Sequence, residues 1–280
     1  MTPLPTMMNS TPFTADPAAI RTALITGASS GIGEALAHCF AAAHFNLILV
    51  ARSEGKLKQL ARTLAQQHGV KAQVQVADLS QSGAADHLAA VLQRQQRVVD
   101  VLVNCAGVLE QGAFTAIPHA SHQQIIDLNI SGLTAMLSAF VPSMVKRGAG
   151  RVLNVASIAA FQPVPTLASY AASKAYVLSL SESLGEELRA TGVTVTALCP
   201  GITATNMFTQ ASDSNGKLAH LPGFLVGDVK QVAEMAFAAC MKGDAICVPG
   251  VVNRAAMIAS RGTPKWLIRR LGGMLGRKAL

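Results

Sequence analysis

Short, almost continuously apolar runs alternate along this chain with longer segments that have the periodicity of amphipathic helices. Strands have this composition when both of their faces are buried, as in a parallel sheet covered by helices on both sides. Seven strands are predicted at 22–26, 46–50, 72–77, 99–103, 151–156, 193–198 and 245–248. Helices are predicted between them near 31–43, 54–68, 83–95, 121–147, 168–190 and 228–241. We therefore expect an α/β fold with a doubly wound, parallel, seven-stranded sheet, in which ligands bind beyond the carboxyl ends of the strands.

The length of the chain suits a single domain, because 280 residues can bury one sizeable core but not two. Half of the residues are apolar and 14% are charged, which is typical of a globular protein. No apolar run approaches 18 residues, so no membrane-spanning helix is predicted. Residues 20–250 are predicted to form the domain. Residues 1–19 are expected to be a flexible leader rather than a signal peptide, and 251–280 a basic amphipathic extension.

The net charge of +8 is concentrated near the C-terminus. Seven of the 23 basic residues lie beyond Asp244, which is the last acidic residue, so the rest of the chain is nearly neutral. This distribution argues against nucleic-acid binding by the main domain. In the segment 263–280 the apolar residues fall on one side of a helical wheel, with arginines beside them. Such a helix packs on its own domain or on a neighbouring subunit, or it binds an anionic membrane or an acidic partner; the sequence leaves both open.

The five cysteines are widely spaced and form no Cys-x-x-Cys pair. We expect free thiols in a reducing, cytoplasmic environment rather than a disulfide framework. No His, Asp or Glu cluster has the spacing of metal ligands, so no metal site is predicted.

The first predicted strand runs into a glycine-rich turn, and a helix follows. Three glycines in the pattern Gly-x3-Gly-x-Gly permit a tight turn and a close approach of the backbone to a pyrophosphate. The negative charge is then met by N–H groups at the helix N-terminus. An ordinary turn would explain three glycines alone, but their place after the first strand of an α/β chain favours a dinucleotide cofactor. The predicted contacts are Gly27, Ser29, Ser30, Gly31, Ile32 and Gly33.

The residues after the second strand predict which dinucleotide is bound. An acidic residue at this place accepts hydrogen bonds from the ribose of NAD, whereas this chain has Arg52 and Ser53. A guanidinium suits a 2′-phosphate in charge and in bidentate geometry, and the serine hydroxyl adds a donor. We therefore expect NADP(H) rather than NAD(H). The alternative is that Arg52 is a solvated surface residue.

Tyr170 and Lys174 are four residues apart in a predicted helix and so share one of its faces. Ser157 follows a strand upstream of them, and Asn129 lies further upstream in a helical segment. Together with the glycine-rich turn, these motifs resemble the compact, single-domain, Rossmann-like branch of the short-chain dehydrogenase/reductase family. The resemblance covers about residues 20–250.

The resemblance implies an enzyme that interconverts a carbonyl and a secondary alcohol by hydride transfer to or from nicotinamide. It implies that Tyr170 is the general acid/base and that Ser157 binds the carbonyl oxygen. Lys174 would lower the pKa of the Tyr170 phenol and bind the nicotinamide ribose. Asn129 would position a water that links Lys174 to solvent.

The same resemblance implies further cofactor contacts after the strands: Asp78, Leu79, Asn104, Ala106, Gly107, Pro200, Gly201, Ile202 and Thr205. Cys105 departs from the more usual asparagine of the family, which removes one side-chain hydrogen bond but not the motif. The segment 206–227 is long for an internal connection, and we expect it to be either a lid over an apolar substrate or a surface loop. A homodimer or homotetramer is expected.

Two other functions remain open at this stage. A cofactor-sensing interaction protein would keep the fold without turnover, but it would have little reason to retain Ser157, Tyr170 and Lys174. An epimerase or dehydratase acting on nucleotide sugars would need a larger C-terminal substrate domain than this chain has room for.

Overall fold

The structure is a computed structural model of the chain and describes residues 21–201, 203, 227–251, 253, 254 and 257. Its central feature is a sheet of seven parallel strands in the order β3-β2-β1-β4-β5-β6-β7. The strands are β1 Thr22–Thr26, β2 Asn46–Ala51, β3 Ala72–Val76, β4 Val101–Asn104, β5 Gly150–Val155, β6 Val193–Leu198 and β7 Ile246–Cys247. This confirms the predicted fold class. The order reverses between β1 and β4, which opens a crevice at the carboxyl ends of these two strands.

Helices cover both faces of the sheet. They are α1 Gly31–Ala42, α2 Glu54–His68, α3 Ala84–Arg94, α4 His119–Ile126, α5 Leu133–Arg147, α6 Ala168–Glu187 and α7 Val229–Lys242. Consecutive strand residues belong to opposite layers of the core: Ala23 and Ile25 pack in the layer of α1, α2 and α7, while Leu24 packs in the layer of α3, α5 and α6. This two-sided burial explains why the strands are continuously apolar in the sequence.

One helix of the prediction is more complex in the structure. The segment predicted as a single helix at 121–147 consists of α4, a π-helical turn at Asp127–Gly132, and α5. A π-helical turn inserts one extra residue into an α-helix, and such turns are frequent at functional sites. The sequence gives no sign of it because apolar spacing barely changes over one turn.

The continuous helix His119–Arg147 is the one segment of the described residues that is long and apolar enough to cross a membrane by length and composition. The sequence alone predicts no spanning helix. Half of the most apolar stretch is buried inside the fold, where Met136, Phe140 and Met144 pack in the core. A core helix passes the same test because one of its faces is apolar, so the fold accounts for this composition.

Several sequence predictions lie outside the described residues. They are the expected leader 1–19, nearly all of the segment 206–227 that is expected to be a lid or a surface loop, and the tail 263–280 that is expected to form an amphipathic helix. The domain boundaries stay predictions. Within the described residues all five cysteines are free thiols.

A buried polar chain links the central strands to α6. Asn104 Nδ2 donates to Asn154 Oδ1 at 2.9 Å, and Asn154 Nδ2 donates to Ser181 Oγ at 2.9 Å. Ser181 in turn donates to the Val177 carbonyl one turn earlier in α6. Because all three side chains are buried, each group depends on the next for its hydrogen bond.

We predict that Ser181→Ala destabilises the protein by about 2 kcal/mol, because it leaves the buried Asn154 amide without its acceptor. Ser143→Ala is the matched control, since Ser143 also donates to a carbonyl of the preceding helical turn, and the one hydrogen bond that it accepts, from Arg147 at 3.3 Å, is exposed and lies within the same helix. It should cost less than about 0.5 kcal/mol. Urea unfolding of the two variants measures the difference, and equal losses would contradict the prediction.

Candidate active site

The glycine-rich turn connects β1 to α1 at the carboxyl edge of the sheet. Gly27 has a φ of 65°, and a Cβ there would lie 2.9 Å from the Ala106 backbone. A Cβ on Gly33 would collide with the Gly27 carbonyl oxygen. The neighbouring Thr26 Oγ1 accepts the N–H groups of Cys105 and Ala106, each at 3.0 Å. Glycine at position 27 therefore lets the turn pack against the loop that follows β4, and glycine at position 33 lets α1 begin close to the turn.

The turn ends in a helix N-terminus that its own side chains do not cap. Ser30 is the N-cap residue of α1 and makes no capping hydrogen bond through its side chain. The first N–H groups of α1 therefore keep their capacity to bind an anion such as a pyrophosphate. Ser29, Gly31 and Ile32 are half-buried around this end of the helix.

Arg52 and Ser53 lie beyond the end of β2, next to the loop that follows β3. Arg52 is exposed, and Ser53 is the N-cap residue of α2, again without a side-chain cap. The Asp78 carboxylate accepts hydrogen bonds from the N–H of Ser80 at 3.1 Å and from its hydroxyl at 2.7 Å. The Ser80 hydroxyl is the main cause of a lowered pKa at Asp78, and the charge of Arg52 adds to it. Arg52 and Asp78 are therefore electrostatic neighbours at this corner.

The loop after β4 completes the crevice. One small cavity at this edge is lined by eight residues of the loop and its surroundings: Thr26, Leu79, Asn104, Ala106, Leu128, Gly132, Leu133 and Met136. Gly107 lies beside the other end of the site, where an added Cβ would be 3.5 Å from Lys174 Nζ. Burial raises the pKa of the Cys105 thiol to about 12, so this departure from the family motif adds a neutral group.

Ser157 and Tyr170 come together beyond the end of β5. Ser157 is buried, and its Oγ accepts the N–H of Ala159 at 3.1 Å, which starts a 3₁₀ turn at Ile158–Phe161. Burial raises the pKa of the Tyr170 phenol to about 12, while hydrogen bonding to the Ser157 side chain opposes that rise. The sequence predicts a pKa lowered by Lys174, but in this structure burial dominates and the phenol is neutral at pH 7.

Lys174 lies one helical turn after Tyr170 and is buried, whereas Tyr170 is half-buried. Its Nζ donates to the Val155 carbonyl at 2.8 Å and lies 5.6 Å from the centroid of the Tyr170 ring. Burial lowers the pKa of Lys174 to about 8. An ammonium has three N–H donors, and among the described residues Val155 is the one hydrogen-bond partner of this group.

Asn129 lies in the π-helical turn and is fully buried. Its Oδ1 accepts the Val108 N–H at 2.9 Å, and its Nδ2 donates to the Val108 carbonyl at 3.0 Å. The same Nδ2 donates to Ser173 Oγ at 3.1 Å, and Ser173 donates to the Tyr170 carbonyl at 2.7 Å. Asn129 therefore fixes the loop after β4 to the helix that carries Tyr170.

Ser173 is a further residue of this site, and the sequence patterns do not single it out. It is buried at 1% exposure between Tyr170 and Lys174 in α6, and it joins the Asn129 amide to the Tyr170 backbone. A small polar residue three positions after a tyrosine is common in exposed helices. The sequence does contain one sign of its role, because Ser173 lies on the helix face that Tyr170 and Lys174 share.

The loop after β6 is described only in part. The Pro200 carbonyl accepts the Ile158 N–H at 3.0 Å, which ties this loop to the residue after Ser157. Gly201 lies so close to Asn253 that an added Cβ would be 2.5 Å from its Nδ2. Ile202 and Thr205 lie outside the described residues. Among the described residues no group of three His, Cys, Asp or Glu side chains could hold a metal ion.

The order of the sheet and the glycine-rich turn after its first strand define a Rossmann-like fold. The sequence pattern of the family described as short chain dehydrogenase matches residues 21–216. An uncharacterised oxidoreductase of Staphylococcus epidermidis is 37% identical over 194 residues, which cover 69% of this chain and 82% of that protein. The chain therefore belongs to the short-chain dehydrogenase/reductase family of oxidoreductases.

Solved structures of the family have the same fold. A short-chain dehydrogenase from Sphingobium yanoikuyae in complex with NADPH has a TM-score of 0.77 and 31% identity, covering 86% of this chain and 93% of that one. A bulky-bulky ketone specific alcohol dehydrogenase from Comamonas testosteroni has a TM-score of 0.73 and 29% identity, covering 88% and 96%.

We predict that burial of Lys174 makes the stability of the protein depend on pH. The folded pKa of about 8 lies below the ordinary value of 10.5, so between these values the unfolded state binds more protons and stability rises with pH. The Lys174→Met variant lacks this contribution. The free energy of unfolding of the parent minus that of the variant should therefore increase by about 3 kcal/mol between pH 7 and pH 10.5.

Urea unfolding at a series of pH values measures this difference, with Lys146→Met at an exposed position of α5 as the control for loss of a lysine. The subtraction removes the contributions of the cysteines and of Tyr170, whose raised pKa values act in the opposite direction. A difference between parent and Lys174→Met that stays constant over this range would show that Lys174 is not desolvated.

Proposed function

We propose that this protein is an NADP(H)-dependent oxidoreductase that interconverts a carbonyl and a secondary alcohol. The observation that carries the proposal is the convergence of Ser157, Tyr170 and Lys174 beyond the carboxyl end of β5, beside the glycine-rich turn. Acid/base, oxyanion and cofactor-binding groups are then in one place, as carbonyl reduction requires.

In this proposal Tyr170 holds the proton that moves. Because burial raises its pKa, the phenol is protonated at neutral pH and can donate to the oxygen of a carbonyl as negative charge develops there. The Ser157 hydroxyl, which already lies within reach of the phenol, donates a second hydrogen bond to the same oxygen. When bound, the cofactor supplies or accepts the hydride.

Lys174 has two functions in the proposed mechanism. One N–H is held by the Val155 carbonyl, which fixes the side chain, and the other donors can bind the ribose hydroxyls next to the nicotinamide. Its positive charge also favours the phenolate of Tyr170 once the proton has left. Asn129 is proposed to position a water that links Lys174 to solvent, and its contacts with Val108 and Ser173 hold it in place.

The residues around the crevice fit NADP(H). The uncapped N-terminus of α1 would bind the pyrophosphate, with contacts from Gly27, Ser29, Ser30, Gly31, Ile32 and Gly33. Arg52 and Ser53 would bind the 2′-phosphate, since the Arg52 guanidinium is exposed and makes no ion pair among the described residues. The remaining contacts, to adenine, ribose and nicotinamide, would come from Asp78, Leu79, Asn104, Ala106, Gly107, Pro200, Gly201, Ile202 and Thr205. The NADPH complex of the Sphingobium yanoikuyae relative supports this cofactor over NAD(H).

The substrate is proposed to be a ketone or alcohol with apolar substituents. The similarity to a bulky-bulky ketone specific alcohol dehydrogenase supports this class, as does the apolar content of the segment 206–227, if that segment is a lid rather than a surface loop. A homodimer or homotetramer in the cytoplasm is proposed as the working form. The basic tail 263–280 would contact the protein itself, a neighbouring subunit or an anionic membrane.

We predict that Tyr170→Phe lowers kcat for carbonyl reduction by about 10²- to 10⁴-fold, because the proton donor is removed while the ring is kept. Tyr176→Phe is the matched control, since Tyr176 is the chain's other tyrosine and lies in the same helix with its hydroxyl bonded to Thr134. NADPH oxidation with a panel of ketones, followed by nicotinamide absorbance, measures both. Full activity of Tyr170→Phe would refute the proposed mechanism.

Arg52→Ala should raise KM for NADPH by about 10- to 100-fold and leave KM for NADH nearly unchanged, because charge-assisted hydrogen bonds to the 2′-phosphate are lost. Arg94→Ala controls for the change in net charge, since Arg94 is exposed in the last turn of α3, at the opposite edge of the sheet. Steady-state kinetics with both cofactors gives the result. An equal effect on NADH and NADPH would assign Arg52 to another role.

A further inference from the structure

His122 of α4 joins two segments at the carboxyl edge of the sheet: the loop after β4, and the segment that runs from the 3₁₀ turn into α6. Its Nδ1 lies 2.7 Å from Ser169 Oγ, its Nε2 lies 3.1 Å from the Phe114 carbonyl oxygen, and its ring stacks on the Phe114 ring with centroids 4.4 Å apart. A carbonyl oxygen accepts only, so Nε2 carries the proton and donates to it. In the neutral ring Nδ1 then accepts from the Ser169 hydroxyl. Both polar atoms and one face of the imidazole are therefore used in holding Phe114 and Ser169.

A second contact ties the same two segments together. The Gly112 N–H donates to the Thr166 carbonyl at 2.9 Å. Thr166 has a φ of 70°, a conformation that is costly for a β-branched residue and persists only where the surroundings impose it. The loop after β4 is thus fastened at 112 and at 114 to the segment that runs from the 3₁₀ turn into α6.

The fastened loops flank the proposed catalytic residues. The first follows Asn104 at the end of β4, and the second lies between Ser157 and Tyr170, beyond the end of the neighbouring strand β5. Ser169, which His122 holds, directly precedes Tyr170 in the first turn of α6. Phe114 is therefore fixed at the same edge of the sheet as the acid/base. Phe114 is nevertheless 61% exposed, and its ring is stacked on His122.

We propose that Phe114 is a specificity-determining residue that stacks against an aromatic or alicyclic substituent of the carbonyl substrate, and that His122 is the positioning residue that holds it there. The proposal rests on the proposed carbonyl reductase activity and adds the class of substituent that the site selects. A ring that is fixed on one face and open on the other loses little conformational entropy when a second ring stacks on it. Small aliphatic carbonyls gain nothing from this contact.

The first test compares acetophenone with acetone. Phe114→Ala should lower kcat/KM for acetophenone by about tenfold and leave kcat/KM for acetone within about twofold. His122→Ala should act mainly by raising KM for acetophenone, with kcat within about threefold. His122→Gln, which keeps one donor and one acceptor, should recover part of the loss, and His119→Ala, at an exposed position of the same helix, is the control. Equal losses for both ketones would overturn the proposal.

A binding measurement separates this proposal from the proposed function. In the Tyr170→Phe background, calorimetric titration of the NADPH-loaded protein with acetophenone gives a Kd without turnover. Adding Phe114→Ala should raise this Kd by about tenfold and leave the Kd of NADPH unchanged. A parent protein that reduces no ketone would refute the proposed function, and the acetophenone titration would still decide the role of Phe114. Unaltered acetophenone binding, or a changed oligomeric state alone, would overturn the proposal for Phe114.

Discussion

Burial of the parallel sheet on both faces is the constraint on which the rest of this structure depends. Strands such as β1 and β5 have apolar residues toward both helical layers, so polar groups can act only where the strands end. Because all the strands are parallel, these ends lie at one edge, and that edge collects the glycine-rich turn, Arg52, Asn104 and Ser157. The position of Lys174 also depends on this edge of the sheet, since Lys174 donates to the carbonyl of Val155, the last residue of β5.

The same burial determines the protonation states of the site. Desolvation disfavours charge, so it raises the pKa of Tyr170 to about 12 and lowers that of Lys174 to about 8. The phenol therefore keeps its proton at neutral pH, while the ammonium is near the point where it can lose one. This state suits donation of a proton to a carbonyl oxygen. Oxidation of an alcohol needs the phenolate instead, and positive charge near Tyr170 favours that form.

The sequence predicts the fold well because two-sided burial leaves a local signature. The predicted bounds of all seven strands, and of the helices between them, agree with the structure within a few residues. The sequence also predicts that Tyr170 and Lys174 share one helix face and that Ser157 follows a strand, because these relations are local; the roles of the three residues stay predictions. The sequence does not predict the bridging contacts of Ser173 or the direction in which the pKa of Tyr170 shifts. Both depend on contacts between segments that are distant in the chain. The sequence does not predict the π-helical turn either, because one inserted residue hardly changes the apolar periodicity over so short a stretch.

The inserted residue of the π-helical turn explains how the site is assembled. Three polar pairs join the continuous helix His119–Arg147 to α6, and they are His122–Ser169, Asn129–Ser173 and Thr134–Tyr176. Residues 122 and 129 are seven apart and share a face of an α-helix, but 129 and 134 are five apart and would point about 140° away from each other. One extra residue between them restores the effective spacing of four. The π-helical turn therefore lets a single helix hold α6 at three successive points. One of these contacts lies directly before Tyr170, and another binds its carbonyl through Ser173.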